Sequence, residues 1–236
     1  MRILLIATTM LLACSASAGE PDRTVNVNRD QGIAVIYGDR TPEMGSGNRV
    51  RQIRPAGDFT RVVADDALDV EIRIGPSATI ELEGDDNLID RIRTEAENGT
   101  LHLRVRGGYR VRRPMVARIT MPRLDRVDLE ASGDARIAGL NGGRLALAGH
   151  GSGSFHVDGA VDEVEVRIQG SGDADLQDLR AREAHILING SGDASTYVTE
   201  TIVATVNGTG EVTYRGDPRN VTEDVNGTGR ITRSKN

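Results

Sequence analysis

The residues best suited to ligand chemistry are arginines concentrated between positions 104 and 126. This stretch holds eight arginines and one acidic residue, which gives a local charge of +7 in a chain whose net charge is −6. Because the planar guanidinium group matches the geometry of carboxylates and phosphates, the stretch predicts an anion-binding surface. The candidate patch consists of Arg104, Arg106, Arg110, Arg112 and Arg113.

Two interpretations of the candidate patch remain open. Its first four arginines alternate with apolar residues, so they are expected to share the outward face of strands. That face either binds anionic glycans or lipid headgroups, or it is a solvated surface whose charges pair with neighbouring acids. The acids considered as ion-pair partners are Glu81, Glu83, Asp128 and Glu130.

The other residues that could catalyse a reaction or bind a metal do not converge in the sequence. The histidines occupy non-equivalent positions, and the acidic clusters fall in turns or on outward faces. No serine–histidine–aspartate order, phosphate-binding loop or dinucleotide fingerprint is present. The sequence therefore predicts a protein that is not an enzyme and has no cofactor and no metal site. The residues considered are His102, His150, His156, His185, Asp162, Glu163, Glu165, Asp173, Asp175 and Asp178.

Three aspartates, Asp134, Asp173 and Asp193, follow a glycine at equivalent positions of a repeat. Tandem Gly-Asp pairs also occur in calcium-binding β-rolls, which have a nine-residue period and an aspartate in each repeat. Here the period is doubled and other repeats hold serine, glutamate or arginine at that position. The favoured interpretation is that these carboxylates accept hydrogen bonds from turn N–H groups, with a calcium site as the alternative.

The repeat that positions these residues extends over about residues 125–236. Six turns end in glycine, with spacings of 20, 19, 20, 18 and 19 residues, and apolar positions alternate with polar ones on both sides. Because one such unit cannot bury its apolar side alone, stacking is required. The pattern predicts an all-β, right-handed β-solenoid, or β-helix, with repeats of about 19 residues. The predicted ladder of turn glycines is Gly133, Gly153, Gly172, Gly192, Gly210 and Gly229.

Residues 58–122 are predicted to form less regular strands that cover the N-terminal end of the solenoid. Strict alternation marks residues 68–74, and Asn98-Gly99 between two alternating runs is a strong hairpin signal. Residues 111–121 read as one further strand. Residues 19–57 are polar and predict a mostly flexible lead segment with one strand at 33–37.

The N-terminal residues have the organisation of an export signal. Arg2 precedes an apolar stretch that ends at Ala13, and an A-x-A cleavage site ends at Ala18. Residues 1–18 are therefore predicted to be a signal peptide, and its apolar stretch is too short to span a bilayer. Cys14, the only cysteine, follows Leu-Leu-Ala and is a candidate lipidation site, so a lipoprotein is the alternative.

Four N-terminal motifs and the repeats carry a family resemblance. The motifs are GDF at 57–59, LDV at 68–70, EGDDNL at 83–88 and ENGTL at 97–101. Together with the repeats, they resemble the autotransporter adhesin head GIN domain family of bacteria over about residues 50–235. The resemblance implies a β-solenoid fold and an exported location, and it transfers no binding or catalytic residue.

These observations favour a non-catalytic scaffold or an adhesion-type surface protein of the cell envelope. Its location is predicted to be the periplasm, the outer membrane or the cell surface. The alternative is a binder of anionic envelope glycans or lipid headgroups, and a carbohydrate-active enzyme is a third reading. The expected partners are an envelope polysaccharide, a lipid headgroup or another surface protein. The negative net charge argues against nucleic acid.

Overall fold

The computed structural model describes residues 23–28, 32–37 and 42–234. The alternating sequence forms strands through most of this part of the chain, and a short 3₁₀ helix covers Ile89–Arg91. Among the described residues, no helix is long and apolar enough to cross a membrane. The strands are β1 (Arg23–Asn28), β2 (Gly32–Tyr37), β3 (Glu43–Met44), β4 (Arg49–Arg54), β5 (Arg61–Ala64), β6 (Leu68–Ile74), β7 (Thr79–Asp85), β8 (Ile92–Glu97), β9 (Thr100–Val105), β10 (Tyr109–Val111), β11 (Met115–Met121), β12 (Arg126–Leu129), β13 (Ala135–Asn141), β14 (Arg144–Gly149), β15 (Phe155–Gly170), β16 (Ala174–Gly190), β17 (Ala194–Gly208), β18 (Glu211–Arg215), β19 (Asn220–Gly227) and β20 (Arg230–Arg233).

Each coil contributes one strand segment to each of two faces. On the first face, β5, β12 and β14 stack in parallel, followed by the C-terminal halves of β15, β16 and β17 and then by β19. On the second face, β11, β6 and β13 are followed by the N-terminal halves of β15, β16 and β17 and then by β18 and β20. The predicted all-β solenoid is confirmed, and it makes about five turns.

The hydrophobic pattern fixes the register between coils. Ile168 lies beside Ile188, and Ile188 lies beside Val206, in an uninterrupted parallel ladder. All three side chains are buried because alternate residues of a strand point to the same side. A slip of one residue would turn this column out to solvent, so the stack has a single favourable register.

Glycines form the bend that leads from the first face to the second. The first glycine has positive φ in the four Gly-x-Gly turns from Gly170 onward, as in Gly170 (134°) and Gly190 (148°). The last glycine is required for a different reason, since a Cβ on Gly192 would lie 1.9 Å from the carbonyl oxygen of Gly172 in the preceding coil. The predicted glycine ladder therefore lies where the backbones of successive coils approach too closely for a Cβ.

An excursion of the chain closes the N-terminal end of the solenoid. After β6 the chain leaves the stack and returns as β9 and β11, which lie against β5 and β6. β12 and β13 then pack on the opposite sides of the same two strands. β7 and β4 extend the second face in antiparallel pairing, while β8 closes the first face as the partner of β9. These less regular strands cover this end, as predicted.

The last coil leaves the opposite end of the stack in solvent. Every residue of β19 is exposed, including Val221 and Val225, whose equivalents in earlier coils are core residues. Glu223 replaces an apolar residue and accepts a hydrogen bond of 3.0 Å from the Tyr214 hydroxyl. Arg233 donates to the backbone carbonyl of Gly216 in the preceding coil at 2.7 Å. Charged side chains at inward positions discourage further strand pairing at this edge.

The N-terminal region contains more strand than its sequence predicted. The structure places β1 to β4 between residues 23 and 54, where only residues 33–37 were expected to form a strand. β4 escaped prediction because ion pairs of Arg49 and Arg51 with Glu83 attach it to β7, whereas its apolar alternation is weak. The predicted signal peptide and Cys14 lie outside the described residues.

Two further expectations from the sequence have different outcomes. The hairpin at Asn98-Gly99 is confirmed, with both residues at positive φ between antiparallel β8 and β9. The single strand expected over residues 111–121 is wrong. The chain instead divides into β10, which pairs with β2 and β3, and β11, which joins the second face. Pro114 lies in the connection, where the missing N–H costs no strand hydrogen bond.

Candidate functional site

The structure distributes the five arginines of the candidate patch over two strands and the connections that follow them. Arg104 lies near the end of β9, directly opposite Arg93 of β8. Arg106 follows β9, and its backbone N–H donates to the carbonyl of Arg91 at 3.0 Å. Arg110 belongs to β10 in the smaller sheet. The single outward face expected from alternation is therefore replaced by two neighbouring segments on different sheets.

The members of the candidate patch differ in their surroundings. Arg104 forms an ion pair with Asp65, and Arg110 is half-buried. Arg106, Arg112 and Arg113 are exposed and have no ion pair within the part of the chain that the structure describes. These three side chains are the members of the patch that can meet an external anion without first losing an internal partner.

Arg118, further along the same stretch, follows the ion-pair interpretation. Its guanidinium donates to Glu83 at 2.6 Å and to Glu71 at 2.9 Å, and it lies 3.7 Å from Glu81. The hydrogen bond from Arg118 lowers the pKa of Glu83, and the same bond raises the pKa of Arg118. This cluster joins β7, β11 and β6, so it holds the capping strands to the solenoid, and a ligand of Arg118 would compete with these carboxylates.

The aspartates that follow the turn glycines bind the backbone of the next coil. Asp134 accepts from the N–H of Ser154 at 3.0 Å, Asp173 from that of Asp193 at 2.8 Å, and Asp193 from that of Glu211 at 2.7 Å. This column supports the interpretation that the carboxylates satisfy turn N–H groups. Within the described residues, no group of three or more potential ligands converges on one metal position.

Asp69 continues the aspartate column into the coil below Asp134. One carboxylate oxygen of Asp69 accepts from the Asp134 N–H at 3.1 Å. Burial raises the pKa of Asp69, the hydrogen bond from Asp134 opposes this shift, and the Asp134 carboxylate reinforces it. The stacked carboxylates therefore have an electrostatic cost that the backbone hydrogen bonds offset.

Polar columns continue along the same turns. The Asn207 amide donates to the Asn189 side chain at 2.7 Å, and the Asn226 amide donates to Asn207 at 3.1 Å. The hydroxyls of Ser171 and Ser191 lie 3.1 Å apart. These asparagine and serine side chains thus bind to each other along the stack.

A groove that the sequence did not predict crosses the second face. It has a volume of about 620 Å³ and is lined by outward residues of β11, β6, β13, β15 and β16. Arg73 of β6 and Arg136 of β13 lie on its wall. We call this hollow the bulge groove, because the ladders of β13 and β15 shift register there, between Ile137 and Leu140 and between His156 and Gly159. The sequence carried one signal for it, the glycine at position 139 inside a strand pattern.

Known proteins similar to this chain share its fold. The family model described as "Putative auto-transporter adhesin, head GIN domain" matches residues 58–218. No curated protein matches the chain.

Three solved structures resemble the chain over about four fifths of its length. An adhesin described as putative, from Bacteroides fragilis, is 22% identical, with a TM-score of 0.68, covering 81% of this chain and 99% of its own. A "putative lipid binding protein" from Parabacteroides distasonis is 22% identical, with a TM-score of 0.51, covering 83% of this chain and 100% of its own. A further adhesin, from Parabacteroides merdae, is 19% identical, with a TM-score of 0.51, covering 81% and 98% of the two chains. At these identities the similarity shows a common fold.

Proposed function

The chain belongs to the auto-transporter adhesin head GIN domain family, and from this membership we propose that it is an exported, non-catalytic surface protein of the bacterial envelope. The observation that supports this proposal best is the arrangement of the solenoid corners. Close glycine contacts join successive coils, so the long faces present continuous columns of side chains. Such a rod binds through extended faces, in the manner of other repeat proteins.

The proposal predicts processing and exposure of the protein in its native cells. The mature chain should begin at an acylated Cys14 or at Gly19, and protease added to intact cells should remove the domain. Intact-protein mass spectrometry of the purified native protein and protease treatment of whole cells measure the two outcomes. An unprocessed chain beginning at Met1 and recovered with the cytosol would contradict export.

A second candidate function is binding of anionic lipid headgroups by the candidate patch. It is favoured by Arg106, Arg112 and Arg113, which are exposed and lack ion pairs within residues 42–234. A neighbouring fold is described as a lipid-binding protein, and in this chain the same role would fall to these arginines. Each arginine near an anionic bilayer adds about 1 kcal/mol to membrane binding.

Replacing Arg112 and Arg113 with serine is therefore expected to weaken binding to vesicles of phosphatidylglycerol and phosphatidylcholine by about ten- to thirtyfold. Binding to phosphatidylcholine vesicles alone should be weak for every variant. The matched control is the Arg144→Ser/Arg182→Ser double variant, which removes the same charge from sites that are paired with acids. Vesicle sedimentation at low and physiological salt measures both. Equal losses in the two variants would show that net charge alone drives binding and would exclude a specific patch.

A further inference from the structure

The bulge groove exists because three successive strands of the second face leave the regular ladder at the same level. β13 shifts between Ile137 and Leu140, where Gly139 has φ of 82°, and β15 and β16 shift at the next two positions of the stack. Such bulges bend a strand and redirect its side chains, and they are frequent beside functional sites. The small side chain at Ala138 adds to the depression between the coils.

The acids of the bulge groove are engaged by groups of the protein itself. Glu71 accepts from Arg118 at 2.9 Å, and Asp158 accepts from the N–H of Gly139 at 3.0 Å. Asp175 accepts from the Ser195 hydroxyl at 2.9 Å, and it also lies 3.8 Å from His156. The ionised oxygens that face the groove are therefore already satisfied in part by internal donors.

Two cations of the bulge groove have no such partner. Arg73 and Arg136 are exposed, and neither forms an ion pair or a side-chain hydrogen bond within the part of the chain that the structure describes. Arg136 has one longer-range electrostatic interaction, with Asp69, whose pKa its charge lowers. Arg136 lies beside Glu71 in the ladder and Arg73 lies beside Ala138, so the two arginines are diagonal neighbours on adjacent strands. Long side chains at such positions, about 7–8 Å apart, reach a common anion.

One carboxylate weakens this positive charge from the opposite side. Asp178 of β16 lines the bulge groove and has no ion pair among the described residues. It belongs to a strand two positions away from β13, whereas Arg73 and Arg136 lie on β6 and β13. The groove is therefore positive at the end near β6 and negative at the end near β16.

We propose that the bulge groove binds an acidic polysaccharide, with the carboxylate of a uronic acid held between Arg73 and Arg136. Guanidinium groups bind carboxylates through paired, charge-assisted hydrogen bonds. The groove crosses five strands, a length of roughly 19 Å at the usual strand spacing, which suits a chain of several sugars better than a single ion. Thr120 and His156 add donors for sugar hydroxyls.

The test uses fluorescein-labelled oligogalacturonate as the probe and polarisation as the readout. The Arg73→Gln/Arg136→Gln variant is expected to bind at least about tenfold more weakly than the wild type, since two charge-assisted contacts are lost. The Arg112→Gln/Arg113→Gln variant, with the same loss of charge in the candidate patch, should bind within about twofold of the wild type. Asp178→Asn should bind about two- to threefold more tightly, because the opposing carboxylate is removed.

Each alternative outcome overturns the proposal in a recognisable way. Wild-type binding no tighter than that of labelled neutral galactan would exclude an acidic glycan. Equal losses in the two arginine double variants would show a diffuse charge effect. Phosphatidylglycerol vesicles whose binding depends on Arg73 and Arg136 would assign the groove to lipid phosphates instead. Because the candidate patch is tested separately on vesicles, failure of the groove proposal leaves the proposed lipid binding by the patch unaffected.

Melting temperatures within about 2 °C of the wild type confirm that the substitutions act on binding, as expected for exposed residues without ion pairs.

Discussion

Replacing Gly192 with alanine is expected to destabilise the protein by about 3 kcal/mol or more and to lower its melting temperature by roughly 10 °C. The added Cβ would lie 1.9 Å from the Gly172 carbonyl oxygen and 3.2 Å from a methyl group of Ile168. Backbone of the preceding coil cannot move aside without breaking the parallel ladder on either side of the corner. Urea and thermal unfolding followed by circular dichroism measure the loss.

Two control variants separate the steric cause of this effect from other causes. Ser191→Ala, at the adjacent position, removes only the hydroxyl contact with Ser171 and should cost at most about 1 kcal/mol. Gly143→Ala adds a Cβ where nothing lies within 4 Å but where φ is 83°. It should cost about 1–2 kcal/mol through backbone strain alone. If Gly192→Ala were no more harmful than these two changes, close approach between coils would not be the reason for the glycine ladder.

The repeats allowed the solenoid to be predicted because each one has apolar residues and glycines at the same positions. Ile168, Ile188 and Val206 occupy one position of the period, and stacking them is the only way to bury all of them together. The glycine corners were also predicted, but positive φ explains only the first glycine of the four turns from Gly170 onward. The requirement at the last glycine depends on the distance between coils, and a single repeat contains no information on that distance.

The excursion at the N-terminal end could not be predicted in the same way. β5 and β6 lie inside the stack only because β9 and β11 return to pair with them. The neighbours of these two strands are therefore set by contacts between residues that are distant in sequence. The same pairing explains why the bulge groove was missed. Arg73 and Arg136 are far apart in the chain, and they become neighbours only when β13 stacks on β6.

The composition of the sequence predicted the candidate patch. It did not predict which of its arginines are exposed and which are paired or half-buried. Local density of arginine indicates an anion-binding surface whether or not each guanidinium is free. Asp65 neutralises Arg104 from a different segment, and the break between β9 and β10 places Arg110 on a different sheet from Arg104. Only the pairing of strands distinguishes the exposed Arg112 and Arg113 from these two.

Replacing Phe155 with alanine is expected to destabilise the protein by about 3–5 kcal/mol, and a second substitution at Gly149 should recover much of the loss. Phe155 is fully buried at a position where the flanking coils have Ala135 and Ala174. Gly149 lies at a position where they have leucine and isoleucine. The Phe155 ring lies 3.2 Å from the place of a Gly149 Cβ, so the ring fills the volume that the missing side chain leaves.

This exchange of volume predicts the outcome of a double-mutant cycle. Gly149→Ile alone should cost about 1–3 kcal/mol because isoleucine would clash with the Phe155 ring. The Gly149→Ile/Phe155→Ala variant gives this coil the same pair of residue types as Ile168 and Ala174 in the next coil, and it should be more stable than Phe155→Ala alone. The coupling free energy is expected to be favourable by about 2 kcal/mol.

The control for this cycle pairs Gly149→Ile with Leu82→Ala, a buried residue of β7 several strands away. Those two effects should add within about 0.5 kcal/mol, because the sites share no contact. If the Gly149 and Phe155 changes also proved additive, the compensation between them would be absent. The aromatic ring would then stabilise its coil through contacts that alanine and isoleucine at the same two positions cannot replace. A favourable coupling would instead show that this coil keeps the total volume of its core although the individual positions vary. Such compensation allows a repeat to diverge in sequence without losing its register.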